Sequence, residues 1–201
     1  MAQPKPSHRA ADLVQPVALG RAPTYADVEA LPAHVRGEIV NGQLYALPRP
    51  KVQHGKVATR LTTLLDGPFG LGRGGPGGWW FLAEPELHLD GKGWPIAPDL
   101  AGWRRERVPE LPDTIAMEQA PDWVCEVLSA STEAYDRGPK METYGRHGVA
   151  HAWLVDPAER LLEAYRNDAG AWRPLGRWLG GGRARIAPFD AVTFDLNELW
   201  F

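Results

Sequence analysis

Two acidic residues lie inside short apolar runs that each have the composition of a β-strand. Asp99 occurs in the run 96–101, and Glu126 occurs in the run 123–128. An ionised carboxylate is costly to bury unless a partner compensates its charge. Lys140 follows shortly after the second run. This set favours a divalent cation held beside a phosphate, because hard cations such as Mg²⁺ take oxygen ligands from one or two carboxylates, water and substrate phosphate.

The size and composition are typical of a single globular domain. The chain has 201 residues, of which 44% are hydrophobic and 23% are charged, and this length is sufficient for one buried core. No apolar run approaches the roughly 20 residues that span a bilayer. Residues 1–22 are rich in Pro and Ala and lack a signal-peptide core, so we predict a flexible N-terminal tail there and a single domain over residues 23–201.

The single cysteine bears on the redox compartment of the protein, and the net charge bears on its capacity to bind DNA. Cys125 has no second cysteine to pair with inside the chain, which predicts a reducing compartment, most simply the cytoplasm. The formal net charge of −3 counts mildly against a strongly basic DNA-binding surface. It is compatible with a local basic groove around an acidic centre.

Local patterns predict a mixed α/β (α+β) layer structure. Thr24 and Asp27 form a capping-box pattern before a short helix over residues 26–31. Asn41-Gly42 predicts a hairpin turn, since both residues tolerate a positive φ. Apolar spacing predicts a helix over residues 54–66. Further strands are expected over 79–89, 96–101, 123–128 and 152–155. After Ser129 a helix is expected, with a fresh helical segment starting at Pro139 and placing Lys140 in its first turn.

Around Asp99, Glu126 and Lys140, and at several further segments, the chain resembles the Uma-two family of predicted restriction endonucleases, within the PD-(D/E)XK nuclease superfamily. The resemblance extends from about residue 23 to the C-terminus. It rests on several short pieces whose order and spacing are specific only when taken together: residues 24–27, 37–44, 97–100, 121–129, 140–144 and 148–157. The resemblance implies a restriction-endonuclease-like fold, with a central mixed sheet flanked by helices and a metal site at the open edge of the sheet.

The resemblance also implies roles for particular residues. Asp99 and Glu126 are implied as metal ligands, with the backbone carbonyl of Val127 as a further ligand. The usual lysine of the superfamily lies two residues after the second acid, where this chain has Leu128. The family carries its lysine on the following helix, which makes Lys140 the replacement. The implied catalytic residues are therefore Asp99, Glu126 and Lys140.

Several other polar residues allow two interpretations. Glu38 matches the early acidic residue of the family and either completes the metal site or faces solvent. Glu84 and Glu86 alternate along the predicted 79–89 strand, so they share one face; a solvated face is favoured over a lining of the cleft. For Asp122 we favour a turn role. His54, at the start of its helix, either approaches the cleft or, as we favour, caps the helix or lies on the surface.

Other motifs in the sequence give weaker support for a functional site. Residues 70–75 match GxGxxG, but a helix precedes them and a strand follows, which is the reverse of a dinucleotide site. His147 and His151 lack a third partner for zinc. Cys125, inside a strand, is interpreted as a small buried hydrophobe. Residues 104–107 contain three arginines, which either contact phosphate or form an exposed loop cluster.

The leading prediction is a Mg²⁺- or Mn²⁺-dependent endodeoxyribonuclease, a hydrolase of phosphodiester bonds with DNA as its partner and no membrane association. A homodimer is also considered, because cutting both strands needs two active sites or two visits. The alternative from another class is a catalytically inactive nuclease-like scaffold that binds nucleic acid or a protein partner.

Overall fold

The computed structural model describes residues 14–200. Of the tail predicted over residues 1–22, residues 1–13 lie outside the described residues. From Val14 onward the chain contacts the domain: the Val14 N–H donates to the Ser131 carbonyl (3.1 Å) and the Val17 N–H donates to the Leu44 carbonyl (2.7 Å). The predicted boundary between tail and domain stays a prediction.

The N-terminal part consists of a short helix, a hairpin and a longer helix. Their bounds are α1 (Tyr25–Glu29), β1 (Val35–Val40), β2 (Gln43–Pro48) and α2 (Val52–Leu65). The predicted capping box at Thr24 and Asp27 is present. Asn41 and Gly42 have φ values of 53° and 75°, which are the left-handed conformations that a two-residue hairpin turn requires. The hairpin and α2 therefore follow from local sequence chemistry.

A six-stranded sheet forms the centre of the molecule. Its strands are β3 (Trp79–Ala83), β4 (Leu100–Arg104), β5 (Trp123–Val127), β6 (His151–Asp156), β7 (Leu161–Asp168) and β8 (Ala171–Leu179). They are ordered in space as they are in the chain. The β5–β6 pair is parallel and the other neighbours are antiparallel. The predicted mixed sheet is confirmed, and its parallel pair requires a crossover connection.

The crossover between β5 and β6 contains one continuous helical stretch, residues 133–146. It contains α3 (Glu133–Tyr135), a π-helical turn (Asp136–Lys140) and α4 (Met141–Arg146). The prediction of a fresh helix starting at Pro139 is wrong. The Met141 N–H donates to the Asp136 carbonyl five residues earlier, and this wider turn carries Pro139, which has no N–H to donate.

Two of the predicted strands differ in their bounds from the strands in the structure. The predicted strand over residues 79–89 ends at Ala83, because Glu84 has a φ of 48°, and extended backbone needs a negative φ. Glu84 and Glu86 therefore do not share a strand face. The strand expected over residues 96–101 begins only at Leu100, so Asp99 immediately precedes β4.

Apolar cores cover both faces of the sheet. On one face, α2 contributes Val57, Leu61 and Leu65, and the C-terminal segment contributes Phe189. This segment contains β9 (Arg183–Ala184), β10 (Phe194–Asp195) and a 3₁₀ turn (Leu196–Leu199). The opposite face packs against the hairpin and the crossover, with Tyr144 fully buried. Glu126 is one of the few charged residues inside these layers.

Within residues 14–200, the helices are too short or too polar to cross a bilayer.

Candidate active site

Asp99 lies where the chain enters β4, opposite the end of β5. The register pairs Leu100 with Cys125, which brings Asp99 beside Glu126 and Val127. The Val127 N–H donates to Asp99 Oδ2 (2.7 Å), and His54 Nε2 lies 2.9 Å from the same oxygen. Burial alone would raise the pKa of Asp99, but the His54 contact and the charge of Lys140 hold this pKa below its usual value. Asp99 is therefore an ionised carboxylate although only 5% of its surface is exposed.

Glu126 lies in the centre of the molecule and is held by the crossover. Its two oxygens accept hydrogen bonds from the Tyr144 hydroxyl (2.7 Å, Oε1) and from Lys140 Nζ (2.9 Å, Oε2). Glu126 is 1% exposed. Burial raises its pKa well above the usual value, and Lys140 opposes this rise. The carboxylate thus depends on a cation beside it.

Lys140 is the cation at the centre of the site. Nζ lies 2.8 Å from Glu126 Oε1 and also donates to the Ala97 carbonyl (2.9 Å). It is fully buried, yet the surrounding carboxylates, Glu126 first, raise its pKa above the usual value against the effect of burial. Lys140 is therefore permanently charged, and this charge can stabilise negative charge but cannot accept a proton.

Two further acids surround Lys140. Glu38 Oε2 accepts from the Tyr135 hydroxyl (2.8 Å) and lies 3.9 Å from Nζ, while Arg36 lies 3.1 Å from Glu38 Oε1. Asp136 Oδ1 lies 3.8 Å from Nζ. Burial raises the pKa of Asp136 to about 6, although Lys140 lowers it. The interpretation of Glu38 as a solvent-facing residue does not hold, since it is only 1% exposed.

Several of these residues line one cavity of about 290 Å³. Asp99, Glu126 and Asp136 contribute its acidic wall. His54, Arg36 and Lys51 line it as well. Glu38 does not line this cavity, and Val127 contacts Asp99 through its N–H. Asp99, Glu126 and Lys140 are thus brought together at one place, with Glu38 behind them.

The donor chemistry of the site fits a hard divalent cation. Within residues 14–200 no three His, Cys, Asp or Glu side chains already meet in a metal-binding arrangement. Mg²⁺ needs only one or two carboxylates when phosphate and water complete its shell. Glu38, Glu126 and Asp136 lie within 4 Å of Lys140 Nζ, and Asp99 contacts His54. Arg36, Arg49 and Lys51 also line the cavity. Asp99 and Glu126 both line the cavity, so these two carboxylates could hold such a cation.

The family model described as "Putative restriction endonuclease", named Uma2, matches residues 22–193. The chain belongs to the Uma2 family. A solved structure described as a "putative nuclease belonging to DUF820 from Anabaena variabilis" superposes with a TM-score of 0.68 at 17% identity. The alignment covers 88% of this chain and 97% of that one, and at this identity it shows the shared fold. Among curated proteins, none matches the chain.

Sequence reasoning missed the contact of His54 with Asp99. The interpretation of His54 as a capping or surface residue is not what the structure shows, because His54 lines the cavity. Its placement in the first turn of α2, at a strand-facing position, was the available signal. Tyr144 was noted only as part of a Uma2 motif, although its spacing of four from Lys140 predicts the same helix face.

The weaker motifs lie away from the cavity. Arg105 stacks over the Trp80 ring at 3.7 Å and donates to the Gly70 and Trp79 carbonyls, and Arg107 pairs with Asp122 at 2.7 Å. Asp122 also accepts from the Arg104 N–H (2.8 Å), which fits its predicted turn role. The side chains of Arg105 and Arg107 are thus held by partners inside the protein.

Proposed function

We propose that this Uma2 protein is a Mg²⁺- or Mn²⁺-dependent endonuclease that hydrolyses phosphodiester bonds in DNA. The observation that carries the proposal is the placement of Asp99 and Glu126 in the wall of one cavity, with Lys140 Nζ buried behind them 2.8 Å from Glu126 Oε1. Membership in the family supports nuclease activity, while the metal and the DNA substrate rest on the chemistry of the site.

Each residue has a chemical role in this proposal. Asp99 and Glu126 would hold the cation, with the Val127 carbonyl as a further ligand. When bound, the cation would supply charge neutralisation of the phosphate and a lowered pKa of water. The His54 contact and the Val127 N–H fix the orientation of the Asp99 carboxylate.

Lys140 would act through its charge. Its raised pKa keeps it protonated at neutral pH, so it would hold the Glu126 carboxylate in place and, through its charge, stabilise the negative charge that develops on the phosphate. Tyr144 keeps Glu126 in place, and Glu38 and Asp136 keep Lys140 charged. Glu38 is therefore proposed as a supporting acid as well as a candidate ligand.

The test compares the wild type with Glu126→Gln in cleavage of supercoiled plasmid with Mn²⁺. We expect the variant to lose at least about a hundredfold in rate, as is usual when a group that stabilises the transition state is removed. Glu142→Gln is the matched control, because Glu142 lies exposed on α4 outside the cavity. Cleavage by folded Glu126→Gln at the wild-type rate would exclude this assignment.

Thermal unfolding with and without Mg²⁺ or Mn²⁺ separates the enzyme from the inactive scaffold. A cation that binds only the folded protein at about 100 times its Kd stabilises it by about 2.7 kcal/mol. We expect this gain for the wild type and its loss in Asp99→Asn. A folded protein that gains nothing from either cation and cuts no DNA would support the scaffold.

A further inference from the structure

The acidic centre lies at the bottom of a narrow cavity. Glu126 and Lys140 are 1% and 0% exposed, and the volume of about 290 Å³ is at the lower end of the about 300–1,000 Å³ typical of small-ligand sites. A phosphate can reach Asp99 only if the sugars on either side of it enter this space too. These residues therefore do not form an open surface on which a DNA duplex could lie.

A second cavity extends the first along α2. Its volume is about 620 Å³, and it shares Lys51, His54 and Asp99 with the first cavity. The α2 wall consists of small side chains, among them Gly55 and Thr59. The two cavities meet at His54 and Asp99, so a single chain of nucleotides could pass the site from one cavity to the other.

The groups around this path are suited to a phosphate backbone. Arg49 and Lys51 are exposed at the mouth of the first cavity, and within residues 14–200 Lys51 forms no ion pair. Ser129, Ser131 and Thr132 add hydroxyl groups on the other side. Neither cavity is lined by a Phe, Tyr or Trp side chain of the described residues. The contacts available are therefore to phosphates and sugars, which carry no sequence information.

We propose that the preferred substrate is single-stranded DNA, either a free strand or the overhang of a duplex, which follows the two cavities past Asp99. This inference rests on the proposed nuclease function. In a continuous duplex, a strand would have to be unstacked and unpaired before its phosphate reached Asp99, at a cost of a few kcal/mol. Such a cost lowers the rate on duplex interiors by at least about tenfold.

The first measurement is binding without cleavage. A fluorescein-labelled strand of about 20 nucleotides, alone or paired with its complement, is titrated with protein in EDTA and read by anisotropy. We expect the single strand to bind at least about tenfold more tightly. Equal affinity for the duplex would overturn the inference.

Cleavage with Mn²⁺ is then measured on the single strand, the blunt duplex and a duplex with a single-stranded overhang. We expect cuts in the single strand and in the overhang, with the paired region cut at least about tenfold more slowly. Equal rates on all three would contradict the substrate preference and leave the nuclease function standing. No cleavage of any of them by folded protein would contradict the nuclease function, and the binding result would still decide the preference.

A pair of variants tests the path along α2. A Cβ at Gly55 meets nothing within 4 Å, and Gly55 lines the second cavity, so the ring of Gly55→Phe is expected to narrow this cavity. Gln53→Phe is the control, because Gln53 is exposed on the same helix and lines neither cavity. We expect Gly55→Phe to weaken single-strand binding at least about tenfold and Gln53→Phe to leave it unchanged. Equal binding by the two variants would exclude this path.

Discussion

At the scale of single residues, the feature that most affects both stability and function is the buried charge of Lys140. One ammonium group, with no access to water, lies within 4 Å of Glu126, Asp136 and Glu38. Removing this one cation leaves the acids around it buried without compensation, which costs more than the lysine itself contributes. Lys140 therefore stabilises the fold as well as the proposed reaction.

Replacing Lys140 by methionine, which keeps its length without the charge, should destabilise the protein by about 3–5 kcal/mol at pH 8. The loss should be smaller at pH 5, because Asp136, with a pKa of about 6, is then protonated. Urea unfolding at the two pH values measures this difference. Lys56→Met, on an exposed position of α2, should change little, and an equal loss in both variants would contradict the prediction.

Asp136 should give the stability a distinct pH dependence. Its pKa is about 6 in the folded protein against an ordinary value of 3.8, so between these pH values the folded state binds the extra proton. The free energy of unfolding therefore falls as pH rises from about 4 to about 6, by roughly 2–3 kcal/mol.

Asp136→Asn, measured without divalent cations, should remove this fall. We expect the variant to match the wild type near pH 4 and to exceed its stability at pH 7.5 by roughly 2–3 kcal/mol. Urea unfolding over this range gives the comparison. A constant difference between the two proteins at all pH values would show that Asp136 does not titrate in this way.

At the scale of elements, the crossover between β5 and β6 determines where Lys140 lies. Two glycines in it have opposite surroundings. A Cβ at Gly138 meets nothing within 4 Å, whereas a Cβ at Gly145 lies 2.9 Å from the Gly170 carbonyl and 3.1 Å from Trp172 Nε1. A side chain at position 138 therefore meets only its chain neighbour Pro139, while Gly145 is required for the close approach of α4 to the β7–β8 turn.

Gly138→Ala should change the stability by no more than about 1 kcal/mol in either direction, because the reduced freedom of the unfolded chain is opposed by contact of the new Cβ with the ring of Pro139. Gly145→Ala should destabilise it, by about 1–3 kcal/mol, as overpacking does in a rigid interior. Thermal or urea unfolding of the two variants gives the comparison. Stabilisation by both substitutions would show that α4 can shift away from Gly170.

Sequence patterns predicted the elements that depend on local chemistry. The capping box of α1, the Asn41-Gly42 turn and the apolar stripe of α2 all follow from neighbouring residues. The π-helical turn at Pro139 does not, because proline also begins helices. Its geometry depends on residues that are distant in sequence. Glu126 binds Lys140, and Trp172 Nε1 donates to the Met141 carbonyl (2.8 Å).

The composition of the candidate site was predicted to a similar extent. Asp99, Glu126 and Lys140 stand out because charges are unusual in or near apolar strand runs, and the structure brings them together. The contact between His54 and Asp99 joins residues 45 positions apart. No spacing rule covers such a separation, since it depends on how α2 packs over the sheet.

At the scale of the whole molecule, an aromatic cluster attaches the C-terminal segment to the sheet. Phe189, fully buried, packs against the rings of Phe69, Trp79, Phe81, Trp123 and Trp153 at centroid distances of 4.9–5.5 Å. The side chain fills the space between α2 and the sheet. It thus stabilises the face opposite the crossover.

Phe189→Ala should destabilise the protein by about 3–5 kcal/mol, since the cavity it leaves is enclosed by large rings that cannot all collapse. Urea unfolding followed by tryptophan fluorescence measures the loss. Leu179→Ala, at a position that is 73% exposed, should stay within about 0.5 kcal/mol. A similarly small loss for Phe189→Ala would mean that the cluster rearranges.

The contacts of Glu38 also have a kinetic consequence. Glu126 and Lys140 belong to one strand and the crossover that follows it, so they can meet early during folding. Glu38 reaches Tyr135 across 97 residues of chain, and contacts of such long sequence separation form slowly. We therefore expect the lysine and its acid partner on β5 to come together before the hairpin closes over them. Until then Glu126 and Lys140 are exposed to water, and docking of the hairpin is the step that excludes water from them.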